Sequence, residues 1–358
     1  MTNFQLGVIE GFYGRDWTDS DRLNLLPWLE KNQYDAYIYA PKSDHCLRNQ
    51  WDQALTIETE RRLASIGSAC ENLALNWGVG FSPLGAVHCF DASARKLMLE
   101  KLEALKVHEL DILAVLFDDM HCATDELASR QCEIVQFITT KMPDQQLIVC
   151  PTYYSFDPIL EKVFGSMPAN YWQQLGAGLS HDIGVFWTGN KVCSESITVA
   201  DLESISRHLS RPITLWDNYP VNDGEKASKY LHIDSFKQRD RQLSASIRGH
   251  FCNPMNQCLL SRLPLASLPE LFRQQAAYNA DDVFEQIAVS EYGDDLGKAL
   301  IADRASFTQL GLAGLSGDTR DKLLNKYLAL SHPAAAEVCE WLKGEYVFDP
   351  SCLTETGA

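Results

Sequence analysis

The chain has 358 residues, 46 % of them hydrophobic, with 31 Lys plus Arg against 48 Asp plus Glu and a formal charge of −17. That length and apolar content support a sizeable globular core in one large or two ordinary units, and the negative charge opposes binding to nucleic acid or to an anionic membrane. The start, MTNFQLGVIEGFYG, lacks the features of a secretory signal, no run approaches the ~18 apolar residues of a membrane span, and the 11 cysteines contain no Cys-x-x-Cys pair, so the chain reads as cytoplasmic with reduced, mostly buried thiols.

Short apolar or aromatic runs alternate with segments of helical periodicity, the pattern of a parallel α/β sheet. The strand candidates are QLGVIEGFYG (5–14), AYIYAPK (36–42), NWGVGFSPLG (76–85), ILAVLFDD (112–119), QLIVCPTYY (146–154), IGVFWTG (183–189), ITLWDNYP (213–220) and IRGHFCNP (247–254). Between them lie helix candidates such as TDSDRLNLLPWLEKN, which opens on a Thr or Ser cap with acids in its first turn. The link over 221–246 is the weakest helix candidate. Eight units in roughly 250 residues suit a (β/α)8 TIM barrel. A doubly wound sheet fits less well, because GVIEGFYG spaces its glycines wrongly for a dinucleotide fingerprint and no phosphate loop appears. From about residue 266 the strand rhythm gives way to helices broken by Gly and Asp. The expected organisation is therefore a barrel over 1–265 and a small C-terminal helical region over 266–358, which could pack on the barrel or pair two copies as a homodimer, ending in a loose tail, DPSCLTETGA.

Nearly every strand ends in polar and turn residues that a core would not choose. A barrel gathers its strand ends on one face, where its active sites lie. There the run ILAVLF meets Asp118 and Asp119. Two adjacent acids at the end of a buried run repel each other, and at least one finds ionisation costly. Aromatics beside amides, acids and a lysine suit a polar ring such as a sugar. Glycoside hydrolysis ordinarily needs two carboxylates on opposite sides of the bond, which neighbours in sequence supply poorly. They suit substrate assistance better, in which a 2-acetamido group is the nucleophile and one carboxylate orients it.

The motifs GVIEGFYGRDW, YIYAPKSD, LFDDMH, CPTYY, FWTGNKVCS, LWDNYPVND and NPMNQ, in this order, resemble the catalytic domain of glycoside hydrolase family 84, the β-N-acetylglucosaminidases that include protein O-GlcNAcases. The resemblance covers about residues 5–260. It implies a (β/α)8 barrel removing terminal β-linked GlcNAc from a glycoside or glycoprotein with retention, through an oxazoline and with no metal or cofactor. By motif, it implies that Asp118 orients the acetamido group and that Asp119 is the general acid and then base. Tyr154 and Asn218 would support the acetamido group; Gly11, Lys42, Asp223 and Asn253 would hold the hydroxyls; Tyr13 and Trp216 would wall the pocket. An endo-acting, hyaluronidase-type enzyme and a non-catalytic GlcNAc-binding barrel are the alternatives. His121, where family members often carry an acid, and HCLRNQW after the lysine strand depart from the pattern and bear on the aglycone.

Other readings weigh against these. Tyr153 rivals Tyr154, because register decides which neighbour faces inward. Trp187 reads as core, and Asn218 and Asp223 have turn-forming alternatives. His121 and Cys122 beside two aspartates could suggest a metal, but no other strand-end motif supplies a histidine; His181 and His250 read as structural or exposed. Like charge and burial predict a general acid held above the free aspartic range.

Overall fold

The computed structural model describes residues 4–121 and 124–353; Cys122 and the last five residues of the tail lie outside them. Its strands are β1 (Gln5–Glu10), β2 (Ala36–Tyr39), β3 (Asn76–Phe81), β4 (Ile112–Leu116), β5 (Gln146–Cys150), β6 (Gly184–Trp187), β7 (Thr214–Asp217) and β8 (Gly249–Cys252). They form a closed barrel in sequence order, all parallel. The barrel closes through β8 on β1, with Leu6 opposite His250. Parallel strands covered on both faces need no polar alternation, which is why β4 is Ile-Leu-Ala-Val-Leu and buried throughout. Gly7 is obligatory here: a Cβ would lie 2.2 Å from the Phe251 ring, which rests against the β1 backbone.

The outer helices begin where the sequence supplies caps. Helix α1 (Asp19–Lys31) starts with a Thr18–Asp21 capping box, α2 (Ile57–Glu71) with Thr56 and α3 (Ala92–Lys106) with Asp91. Each cap satisfies amides that have no partner within the helix. Helix α4 (Leu127–Lys141) follows β4. The β5–β6 connection carries two short helices, α5 (Ile159–Phe164) and α6 (Tyr171–Gly178). Helix α7 (Val199–Leu209) has a second capping box, Thr198–Asp201.

Between β7 and β8 the chain is mostly irregular, with only α8 (Leu243–Ser246) as an α-helix. Ion pairing replaces helix packing there. Arg239 makes a two-pronged bond to Asp217, both contacts at 2.8 Å, and His250 lies 2.9 Å from the same carboxylate. Burial would raise Asp217, but Arg239 and His250 outweigh it and hold it below the usual carboxylate range.

Helix α9 (Cys258–Gln274) contains residue 265, so the expected domain boundary falls inside a helix. Leu265, Leu268 and Leu271 of α9 join the barrel core, whereas Leu260 and Leu263 join a second core. That second core holds Phe284 from α10 (Ala280–Ala305, broken at Gly293), Leu323 and Tyr327 from α12 (Gly317–Leu328), and Trp341 and Leu342 from α13 (Pro333–Lys343), with Leu312 of the short α11 (Gly311–Gly314) packed against it. Glu337 of α13 accepts the Leu259 and Leu260 amides at 2.9 and 2.8 Å, tying it to the first turn of α9. The start of the tail is ordered rather than loose: Asp349 caps a 3-10 turn at Pro350–Cys352, and the Phe348 amide donates to Ser228 Oγ at 3.1 Å. Among the described residues no helix is long and apolar enough to cross a membrane.

Candidate active site

A cavity of about 160 Å³ opens where β1, β2, β4, β5, β7 and β8 end, and all ten residues singled out from the sequence line it: Gly11, Tyr13, Lys42, Asp118, Asp119, Tyr154, Trp216, Asn218, Asp223 and Asn253. It falls below the ~300–1,000 Å³ of pockets for drug-sized ligands, a size suited to one sugar ring. A larger groove of about 500 Å³, lined by Gly67, Trp77 and Asp111, lies at the opposite ends of the strands, away from the face where barrel enzymes work.

Strand alternation would send Asp118 and Asp119 to opposite faces. Asp119 instead adopts a left-handed backbone, φ 56°, a conformation that Asp tolerates better than most residues. The chain thus turns at that residue, and both carboxylates face the cavity. Lys42 joins them: its ammonium bonds Asp118 Oδ2 and lies 3.4 Å from Asp119 Oδ2. The other Asp118 oxygen, Oδ1, is buried and accepts no hydrogen bond from any described residue. A buried acceptor left unpaired costs about 1–3 kcal/mol, so this oxygen is set to receive a ligand N–H or O–H.

Around Asp119, Tyr13 Oη donates at 2.8 Å and Tyr154 Oη reaches Oδ1 at 3.4 Å. Arg48 donates to Tyr13 Oη at 3.1 Å. Burial and the nearby Asp119 charge push both phenols well above their ordinary value, so they remain O–H donors. Burial alone would raise Asp119, but Lys42 and Arg48 outweigh it and hold the acid below the usual carboxylate range. This reverses the expectation of a raised general acid. Like-charge repulsion and burial set that expectation, which leaves out the charge of Lys42 at the mouth, and Arg48 arrives from the loop after β2.

The register question resolves toward Tyr154: Tyr153 Oη is occupied by the Gly165 carbonyl at 2.8 Å. Asn218 Oδ1 accepts from the Trp216 indole at 3.0 Å and from Asn253 Nδ2 at 3.1 Å, and Asn218 Nδ2 donates to the Val192 carbonyl at 2.9 Å. One N–H of Asn218 is therefore left for a ligand. Asn253 Oδ1 accepts the Gly11 amide at 3.2 Å. A Cβ at Gly11 would sit 2.5 Å from the Trp216 ring, so the close approach of loop and indole requires glycine. Asp223 accepts the Tyr13 amide at 2.8 Å, and burial pushes its carboxyl up despite that bond.

Trp187 is fully buried against Phe156 and Trp172, His250 pairs with Asp217, and His121 packs edge-on against Phe164. Among the described residues no group of three or more His, Cys, Asp or Glu converges as a metal site. Sequence reasoning missed several lining residues that lay within the motifs it quoted: Cys150 of CPTYY, and Thr188, Val192 and Cys193 of FWTGNKVCS. It also missed Arg48, buried beside Tyr13. An arginine six residues past the mouth lysine, in a stretch already seen as unusual, was the available signal.

A sequence profile of the β-N-acetylglucosaminidase family matches residues 6–302. The chain belongs to that family. The match bears out the resemblance drawn from the strand-end motifs. Protein O-GlcNAcases of Rattus norvegicus and Mus musculus are each 30 % identical over 260 residues, covering 70 % of this chain and 28 % of the relative. The chain thus corresponds to little more than a quarter of those relatives' length. Among solved structures, an Asp-to-Asn mutant of the O-GlcNAc hydrolase of Thermobaculum terrenum superposes with a TM-score of 0.78 at 27 % identity, covering 96 % of this chain and 82 % of that one. Such coverage takes in the barrel together with the C-terminal helices.

Proposed function

We propose that the chain is a retaining, exo-acting β-N-acetylglucosaminidase that removes terminal β-linked GlcNAc from a glycoside or glycoprotein, using the acetamido group of the sugar as nucleophile. The observation that carries this reading is the unpartnered, buried Asp118 Oδ1 beside Asp119 in a cavity of one-sugar size. Two carboxylates that face the same ammonium are poorly placed to flank a sugar from opposite sides, as retention through an enzyme carboxylate nucleophile requires. They do suit one acid that orients the acetamido N–H and one that handles the leaving oxygen.

In the proposed cycle Asp118 accepts the acetamido N–H, and Tyr154 and Asn218 hold the carbonyl oxygen toward C1. That oxygen attacks C1 as the bond to the leaving oxygen breaks, and Asp119 donates its proton to the departing aglycone. The N–H proton passes to Asp118 as the oxazoline forms. Water then attacks C1, Asp119 takes the water's proton, and the C1–O bond to the acetamido oxygen opens as Asp118 returns its proton to the nitrogen, so two inversions give retention. Lys42, Asp223, Asn253 and the Gly11 backbone bind the ring hydroxyls, and Trp216 and Tyr13 cover its C–H faces. The small volume of the cavity, about 160 Å³, favours a single chain-terminal sugar over an internal one.

The test is release of 4-methylumbelliferone from its β-GlcNAc glycoside by the purified chain, run beside Asp118→Asn and with a chelator present. Chelator-insensitive turnover that the variant loses supports the reading; absence of turnover by the unaltered chain refutes it.

A further inference from the structure

The β1 loop reaches both ends of the cavity through one residue: the Tyr13 amide bonds Asp223 at 2.8 Å and its hydroxyl bonds Asp119 at 2.8 Å. Such a span requires the loop backbone to be fixed from behind. The buried group that does so is Asn256, which is 6 % exposed and does not line the cavity. Its Nδ2 donates to the Tyr13 carbonyl at 2.8 Å and to the Arg15 carbonyl at 2.9 Å. Both amide hydrogens are thereby used, and the amide orientation is fixed.

The backbone around Asn256 is tied as well. Its amide donates to Asn222 Oδ1 at 3.2 Å, and the Trp17 indole bonds the Met255 and Asn256 carbonyls at 3.1 Å each. Asn222 is itself buried and donates to the Tyr230 carbonyl and to Gln257 Oε1. Asn222 immediately precedes Asp223, so the bonds form a ring: Asn256 to Tyr13, Tyr13 to Asp223, and Asn222 back to Asn256. Gly11 at the start of the loop bonds Asn253 and Trp17 at its end bonds the Asn256 backbone, but between them the side-chain ties of Arg15 to Glu340 at 2.8 Å and of Ser43 to Asp16 are substantially exposed, and pairs of that kind contribute little.

We propose that Asn256 is a positioning residue of the glycosidase site, holding Tyr13 so that one loop registers the sugar-binding carboxylate Asp223 against the general acid Asp119. The inference rests on the function proposed above. Asn256→Ala removes both donors without adding bulk, and it acts at two distances. Loss of register at Asp223 raises KM, and loss of the Tyr13 hydroxyl contact at Asp119 hurts substrates with poor leaving groups most.

The experiment measures kcat and KM of the full chain on aryl β-GlcNAc glycosides of graded leaving-group acidity, for the unaltered protein, Asn256→Ala, Tyr13→Phe and the double variant. The expected result is a tenfold to hundredfold loss of kcat/KM in Asn256→Ala, with a steeper leaving-group dependence. In the Tyr13→Phe background Asn256→Ala should no longer steepen that dependence, because the two act through one hydroxyl. A leaving-group dependence that Asn256→Ala steepens again in the Tyr13→Phe background, or an Asn256→Ala variant with unchanged kinetics, overturns the proposal. Should Asn256→Ala fail to fold, Asn222→Ala unlinks only the Asp223 side and is expected to raise KM with the leaving-group dependence unchanged; the reverse pattern overturns it. No turnover by the unaltered protein refutes the proposed function and this inference together, whereas normal turnover with an indifferent Asn256→Ala refutes positioning alone.

Discussion

Replacing Arg48 with Gln should move the alkaline limb of kcat/KM to higher pH. Arg48 does not line the cavity, but its charge acts on Asp119 through space. The bonds of 3.1 Å to Tyr13 Oη and 2.8 Å from Tyr13 to Asp119 place a guanidinium nitrogen within about 6 Å of the carboxylate. At an effective dielectric constant of ~20 a unit charge at that distance is worth ~3 kcal/mol as an upper bound. Lys42, Asp118, Tyr13, Tyr154 and Asp223 also face Asp119 and remain in the variant, so the limb rises by less than that full interaction. The general acid must start protonated, and the pH dependence of kcat/KM reports the free enzyme. With Asp119 held low in the empty site, that limb lies at low pH, and removing a cation raises it. The kcat limb reports the occupied site. There a hydroxyl competes for the Lys42 ammonium, so in the unaltered protein the kcat limb should lie above that of kcat/KM. The assay is the pH dependence of both constants on one aryl glycoside, with circular dichroism to verify folding. A folded Arg48→Gln enzyme whose kcat/KM limb stays in place or moves down refutes the electrostatic argument.

Asp119→Asn should reduce turnover of a poor leaving group by ~10²–10⁴ and of an activated aryl glycoside far less, whereas Asp118→Asn should impair both; equal losses across leaving groups contradict these roles. Gly11→Ala drives a Cβ into the Trp216 ring and should raise KM and destabilise the fold by ~1–3 kcal/mol, measured by kinetics and urea unfolding. Arg239→Leu takes the two-pronged guanidinium from buried Asp217 and leaves it only His250, for which a loss of up to ~3–5 kcal/mol is expected in the same unfolding assay. Glu337 is pushed up to about 7, by burial against its two backbone bonds. An acid raised on folding is more costly to ionise in the native state, so the stability associated with its proton declines as pH rises from its unfolded value toward about 7; Glu337→Gln should flatten the melting temperature across that range, and an unchanged slope counts against it.

The barrel was legible because closing a parallel sheet leaves a plain trace: apolar strands, capped helices between them, and polar clusters at one end of each strand. Those clusters placed the cavity residues correctly because alternation along β2, β5, β7 and β8 makes every strand end deliver a side chain to the same face. The 221–246 link escaped this logic. It is held by Arg239 on Asp217, a pair separated by some twenty residues of irregular chain, and periodicity has no hold on such a segment. Asp119 escaped it in another way. Its inward direction depends on a single left-handed residue, and its protonation depends on Lys42 and Arg48, which converge only when strands two positions apart in the barrel share a mouth. Asn256 was within a quoted motif but hidden behind the loop it holds, since a buried amide that bonds backbone carbonyls leaves no signature in side-chain pattern. Residues that touch a sugar can thus be found from strand ends and motifs, whereas the groups that set an acid's charge or fix a loop's register emerge only once distant segments meet.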